Sequence, residues 1–280
     1  MRRGRCISGY NPGMTDDHAA ARMEALARAV LAHDGGGAHA RLVPVTIGMS
    51  EAAVFRVTGS VPLYVKAATG PAAVALRDEI ARTRWLGAQG VPVAAILRVE
   101  DRGDGVAMLM AGLPGQPADI TTMPTPHLVE ALAKAVAALH ALPAAACPFD
   151  ETLGTRLARA ARAVAAGEAD PAEFDERNRG IAPAALLRRL QADRPRGEDI
   201  VVLHGDLTLG NIVVDDSGTI GFIDCGNAGC GDRTTDLALL HADIAAHRGR
   251  DAAAQFLDAY GAHDFDGARA RYFLDLYELF

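Results

Sequence analysis

Residues 201–226, VVLHGDLTLGNIVVDDSGTIGFIDCG, restrict the fold more than any other part of the chain. Three apolar runs, 201–203, 212–214 and 220–223, are too short for helices and are separated by polar segments, which predicts strands. Asp215-Asp216-Ser217-Gly218 is turn-forming and predicts a hairpin between the second and third runs. Asp206, Asn211 and Asp224 stand where those apolar runs begin or end. A carboxylate, an amide five residues later and a second carboxylate after a hairpin can converge on one point. Turn formation accounts for Asp215, Asp216 and Ser217. It does not account for three polar residues flanked by buried strands.

The remaining pattern divides the chain in two. The 280 residues, half of them hydrophobic, suit one large or two modest domains. Residues 1–13 match no element and read as a disordered extension; MRRGRC lacks the apolar stretch of a signal peptide after it. Met14, followed by the helix-opening Thr15-Asp16-Asp17, is the expected natural start. Strands are predicted in 41–66, a helix over 71–89 with Val74, Ile80 and Leu86 apolar, and strands at 94–99 and 106–110. Helix dominates from about 126, where Leu128, Leu132, Val136 and Leu139 recur at helical spacing. Further helices are expected near 235–247, 251–260 and 267–279. The expected domains are therefore 14–112, a sheet with a helix, and 113–280, mostly helical.

Charge and cysteine usage narrow the function classes. A net charge of −7 disfavours nucleic acid, whose phosphates need a basic face, and permits a cationic ligand. No apolar run reaches 18 residues, so no membrane span is expected. Four cysteines without framework spacing suit a reducing cytoplasm, and Cys225 and Cys230 lack the second Cys/His pair that zinc needs.

The chemistry best served by Asp206, Asn211 and Asp224 is phosphoryl transfer. One carboxylate orients the attacking hydroxyl and accepts its proton; an amide oxygen and a second carboxylate hold magnesium against the nucleotide phosphates. The spacing H-x-D-x-x-x-x-N followed by D-x-G is the protein-kinase pattern, with Gly205 where protein kinases carry Arg and Cys225 where they carry Phe. Lys66 ends the run VPLYVK and Glu79 follows 13 residues on, in the next helix, the arrangement of a phosphate-gripping lysine and its glutamate partner. The loop IGMSEAAVF, with Ser50, lies where a phosphate cover is expected, although it is not G-x-G-x-x-G. The break at Ala111-Gly112-Leu113 falls where a hinge would meet adenine through backbone groups of Ala111 and Leu113.

HGDLTLGN, GFIDCGNAGCGDRTTDLAL and the final Tyr-Glu-Leu-Phe resemble the bacterial aminoglycoside 3′-phosphotransferases, or kanamycin kinases. IGMSEAAVFRV, DEIARTRWL, VPVAAIL, LPGQ and CPFD extend the likeness over about residues 15–280. HGD-x-x-x-x-N alone would also fit choline, homoserine and macrolide kinases. The resemblance implies an α+β, two-lobed protein-kinase-like fold. Its small lobe is an antiparallel sheet plus a helix; its large lobe is mostly helical and binds the drug. It implies transfer from ATP, with GTP as the alternative and Mg2+ as cofactor, to the 3′-hydroxyl of an aminoglycoside, giving antibiotic resistance. Asp206 then resembles the catalytic base, Asn211 and Asp224 the metal ligands, and Ser50, Lys66 and Glu79 the phosphate contacts. Glu173, Glu176, Asp243, Glu278 and the carboxylate of Phe280 match drug contacts; ordinary solvated helix charge is the plain alternative for Glu173 and Glu176. The family usually has Arg at Asn227, and an acidic pair is here Tyr277-Glu278, so the drug spectrum is open. The expected state is a cytoplasmic monomer or weak homodimer without nucleic-acid or membrane partners. The rival readings are a kinase of a macrolide or amino alcohol, and a catalytically silent nucleotide-binding protein.

Overall fold

Strand alternation decides which face of the first sheet carries the chemistry. The structure is a computed structural model and describes residues 17–32, 40–45, 52–59 and 61–280. The reading of residues 1–13 as a disordered extension, the expected start at Met14 and Ser50 all lie outside the described residues. The chain divides into two compact units: the chain up to Gly115 with Gly221–Gly226, and Gln116–Ile220 with Asn227–Phe280.

The first unit opens with α1 (Asp17–Ala32), followed by β1 (Leu42–Val45), β2 (Ala53–Val57), β3 (Leu63–Thr69), α2 (Pro71–Ala88), β4 (Ile96–Asp101) and β5 (Gly105–Ala111). The strands form one antiparallel sheet in the order β1-β2-β3-β5-β4. Val65, Ala67, Ala107 and Leu109 point to the face covered by Leu26, Ala27 and Val30 of α1. Ala68, Val106 and Met108 point the other way, onto Ala73, Leu76 and Ile80 of α2. The period of two therefore turns Lys66 towards α2. In α2 the buried stripe is Ala73, Leu76, Glu79, Ile80, Thr83 and Leu86. It places Glu79 one turn from Leu76 and Thr83. Val74, expected on that stripe, is exposed instead, because it lies off the line through Ala73, Leu76 and Ile80.

The second unit runs through β6 (Gln116–Pro117), α3 (Thr125–His140), α4 (Leu153–Ala166), α5 (Pro183–Ala192), β7 (Ile200–Leu203), β8 (Ile212–Val214) and β9 (Ile220–Phe222). The last of these carries the chain into the first unit. After Gly226 come β10 (Gly229–Asp232), α6 (Thr234–Arg248), α7 (Arg250–Tyr260) and α8 (Gly267–Tyr277). Leu128, Leu132, Val136 and Leu139 are buried on α3. Each such side chain contributes roughly 1.5–3 kcal/mol. Leu153, Leu157, Leu186, Leu190, Phe273, Leu276 and Leu279 join α4, α5 and α8 in one core. Residues 171–180 are turns and bends, so Glu173 and Glu176 are not helix charges. β10 has no strand-like composition; it forms by pairing with β7, and at Gly231 a Cβ would fall 2.4 Å from the Glu151 carbonyl oxygen. No helix among the described residues is long and apolar enough to cross a membrane.

One buried carboxylate fixes the loop after β7. Asp236, in the first turn of α6, accepts the backbone N–H of His204 on Oδ2 at 2.7 Å and that of Gly205 on Oδ1 at 2.8 Å. His140 Nε2 lies 3.2 Å from the same Oδ2, and its Nδ1 lies 2.7 Å from the Tyr260 hydroxyl. Gly205 has φ of +82°, and a Cβ there would meet the Asn227 carbonyl at 2.0 Å, so no other residue fits. Burial alone would raise the pKa of Asp236, but hydrogen bonds and the charge of His140 hold it below the ordinary carboxylate value. Its stabilisation is therefore complete at neutral pH and is lost as pH falls through that lowered value. Asp236→Asn offers one acceptor to two N–H groups and should lower stability by about 1.5–3 kcal/mol at pH 7. In urea titrations the gap to the wild type should close only as pH drops below about 4. A gap that stays constant into acid would show that the charge of Asp236 is not its source.

Candidate active site

The first unit gathers Lys66, Glu79 and Asp224. Lys66 Nζ lies 2.7 Å from Glu79 Oε2 and 2.9 Å from Asp224 Oδ1. The Lys66 and Glu79 side chains are each 9% exposed, whereas Asp224 is 45% exposed, so one partner is structural and the other faces solvent. Burial would lower the pKa of Lys66; the carboxylates of Glu79 and Asp224 outweigh it and raise the value, keeping the ammonium charged at any working pH. Asp224 follows β9 with φ of +58°, the one positive φ outside glycine among the described residues. Such a conformation stores of order 1–3 kcal/mol in a residue with a Cβ. The ion pair uses Oδ1, so Oδ2 lies outside it. Ala111 donates its N–H to Ala95 at 2.9 Å, and Leu113 packs against Gly221.

The second unit gathers Asp206 and Asn211. A single turn of 3-10 helix, Leu209–Asn211, bends the chain back so that Asn211 Nδ2 donates to the Asp206 carbonyl at 2.9 Å and to Oδ2 at 3.0 Å. The amide oxygen of Asn211 takes part in neither bond. The other carboxylate oxygen, Oδ1, accepts from the Tyr277 hydroxyl at 2.5 Å. The Asp206 N–H lies 3.3 Å from His204 Nδ1, a contact of the fully buried His204. The result is a partly exposed carboxylate with a hydrogen-bond donor on each oxygen.

The residues expected to meet a cationic ligand sit in different local settings. Asp243 accepts the Leu209 N–H at 2.7 Å and lies 3.1 Å from His247, so its carboxylate caps the turn carrying Asn211. Glu278 accepts from Asn178 at 3.1 Å and from the Asp175 N–H at 3.3 Å. Burial raises the pKa of Glu278. The neighbouring Asp275 is buried and accepts from Arg177, Asn178 and Arg189 at 2.6, 3.0 and 2.9 Å. Asn227 accepts from Arg159 at 2.9 Å, and the Phe280 ring lies under Arg159 and Arg156 at 5.6 and 5.0 Å. Glu173 and Glu176 are exposed in the turn segment. Three contributors escaped the sequence reading: Asp236, Tyr277 and Arg156. Arg156 is fully buried and donates to the Gly205 carbonyl at 3.3 Å through both Nη atoms. No periodicity marks any of them; Tyr277 was visible only as a departure from an acidic pair.

Comparison with known proteins places this geometry. Residues 41–273 match the phosphotransferase enzyme family. The aminoglycoside 3′-phosphotransferase of Streptomyces fradiae is 37% identical over 84% of this chain and 94% of its own length. The streptomycin 3″-kinase of Streptomyces griseus is 36% identical over 83% and 89%. Among solved structures, an aminoglycoside 3′-phosphotransferase of type VIII superposes with a TM-score of 0.83 at 33% identity, covering 92% of this chain and 99% of that one. The aminoglycoside phosphotransferase APH(3″)-Id of Streptomyces rimosus, solved in complex with ADP and streptomycin, has a TM-score of 0.80 at 32% identity, covering 92% and 97%. These likenesses agree with the α+β, kinase-like architecture, an antiparallel sheet followed by a helical part. The chain belongs to the phosphotransferase enzyme family.

Proposed function

We propose that the chain phosphorylates a hydroxyl of an aminoglycoside antibiotic from a nucleoside triphosphate and so confers resistance. The observation that carries this reading is the Asp206 carboxylate, held on one side by Asn211 and left partly exposed. In this reading the first unit is the nucleotide-binding lobe and the second the catalytic and drug-binding lobe. ATP is the expected donor and GTP the alternative, with Lys66 anchoring phosphate oxygens, Glu79 orienting Lys66, and Ser50, Ala111 and Leu113 completing the nucleotide contacts. The amide oxygen of Asn211 and Oδ2 of Asp224 are hard oxygen donors of the kind that suit Mg2+, which binds through few protein ligands plus phosphate. A magnesium ion held by such oxygens would neutralise phosphate charge. As the acceptor oxygen bonds to the γ-phosphorus and the bond to the bridging oxygen breaks, Asp206 takes the hydroxyl proton and nucleoside diphosphate leaves. Glu173, Glu176, Asn227, Asp243, Glu278 and Phe280 are the proposed drug-side residues. The protein acts in the cytoplasm as a monomer or weak homodimer.

The 3′-hydroxyl of a kanamycin- or neomycin-type drug is the first choice, supported by the 37% identical relative. A specific observation favours a second: the streptomycin kinase is nearly as similar, and neutral Asn227 and Tyr277 stand where the aminoglycoside 3′-phosphotransferase pattern has charges. Turnover with ATP or GTP should be measured on kanamycin, neomycin and streptomycin, and the phosphorylated position read by NMR of the product. Activity confined to a macrolide or an amino alcohol would overturn the aminoglycoside reading. Asp206→Asn should lower kcat by at least ~10²–10⁴-fold with nucleotide affinity unchanged; near-normal turnover would remove Asp206 from the mechanism. Lys66→Met should weaken nucleotide binding. Because it strands the buried Glu79, it should also destabilise the first unit by about 3–5 kcal/mol, measured by thermal melting.

A further inference from the structure

We propose that Tyr277 is a positioning residue for the transfer: its hydroxyl holds the Asp206 carboxylate in the rotamer that accepts the proton. The inference rests on the reading of Asp206 as the base. Tyr277 is the last residue of α8, and its hydroxyl donates to Asp206 Oδ1 at 2.5 Å while Asn211 donates to Oδ2 at 3.0 Å. Donors on both oxygens fix rotation of the carboxylate plane. An ionised carboxylate has about four acceptor positions, so an incoming hydroxyl still finds lone pairs beside each occupied one.

The hydroxyl is itself held by packing. The Tyr277 ring meets the Phe280 ring edge-on, with centroids 6.3 Å apart and planes at 70°. Arg156 stacks over Phe280 at 5.0 Å and donates to the Gly205 carbonyl. One buried guanidinium thus ties the segment carrying Tyr277 to the loop carrying Asp206.

Three variants test the assignment in the purified full-length enzyme. Tyr277→Phe removes only the hydroxyl. It should lower kcat roughly tenfold or more, as loss of a charge-assisted hydrogen bond does. It should leave KM for nucleotide and drug unchanged, a split between kcat and KM that a merely structural role would not give. Replacing Tyr277 by ring-fluorinated tyrosine, which keeps the donor and nearly the same shape, should retain kcat. Unchanged kcat, a raised drug KM alone, or a faster Tyr277→Phe enzyme would each overturn the proposal, leaving Asp206 as base intact. Asp206→Asn is the separate control: if it still turns over, the reading of the base falls and this inference with it.

Discussion

The second unit depends on a carboxylate that never touches solvent. Asp236 satisfies two consecutive backbone N–H groups at the point where β7 ends, and a third contact ties it to His140. Without it, His204 and Gly205 would present buried donors with no acceptor. With it, the chain turns sharply enough to bring Asp206 and, five residues later, Asn211 into contact. Arg156 grips the opposite, carbonyl side of Gly205. The loop is thus held by opposite charges on its N–H and C=O groups, and its own sequence needs to supply only a glycine and the Asp206 carboxylate.

Much of this was legible in the sequence, for reasons that differ from residue to residue. Asp206 and Asn211 could be read because their separation and their apolar flanks are local. Lys66 and Glu79 could be read because a strand and a helix each have a fixed period, and both periods end on the same face of the sheet. Leu128, Leu132, Val136 and Leu139 are buried as spaced, whereas Val74 is not, because it lies off the stripe that runs through Ala73, Leu76 and Ile80. What could not be read was long-range. Asp236 lies 30 residues beyond Asp206 and Tyr277 lies 71 beyond it. Neither belongs to a pattern of its own. β10 was invisible because Gly231, a residue type that a strand normally avoids, is required by the close approach of Glu151.

The acidic residues also changed meaning. From sequence they are countable charges on a protein of net −7, each available to an ammonium group. In the structure Asp243 is committed to a turn, and Asp275 and Glu278 share Asn178. Binding a cation near Glu278 therefore means competing with existing donors, and the burial that raises its pKa would be offset by the arriving charge. Selectivity would then come from which drug replaces those donors with equal geometry, more than from the number of carboxylates.

Asp224 combines two demands in one side chain: an oxygen beside Lys66 and a backbone in the left-handed region. Outside glycine, asparagine and aspartate tolerate that backbone best. The tolerated alphabet at this position is therefore narrow even before its chemistry is considered. Alanine would alter backbone strain and charge together, so its phenotype would confound the two. Asparagine keeps the dihedral preference and the shape while deleting the charge, and glycine keeps the dihedral while deleting the side chain. That pair of substitutions separates the conformational load on residue 224 from its electrostatic one.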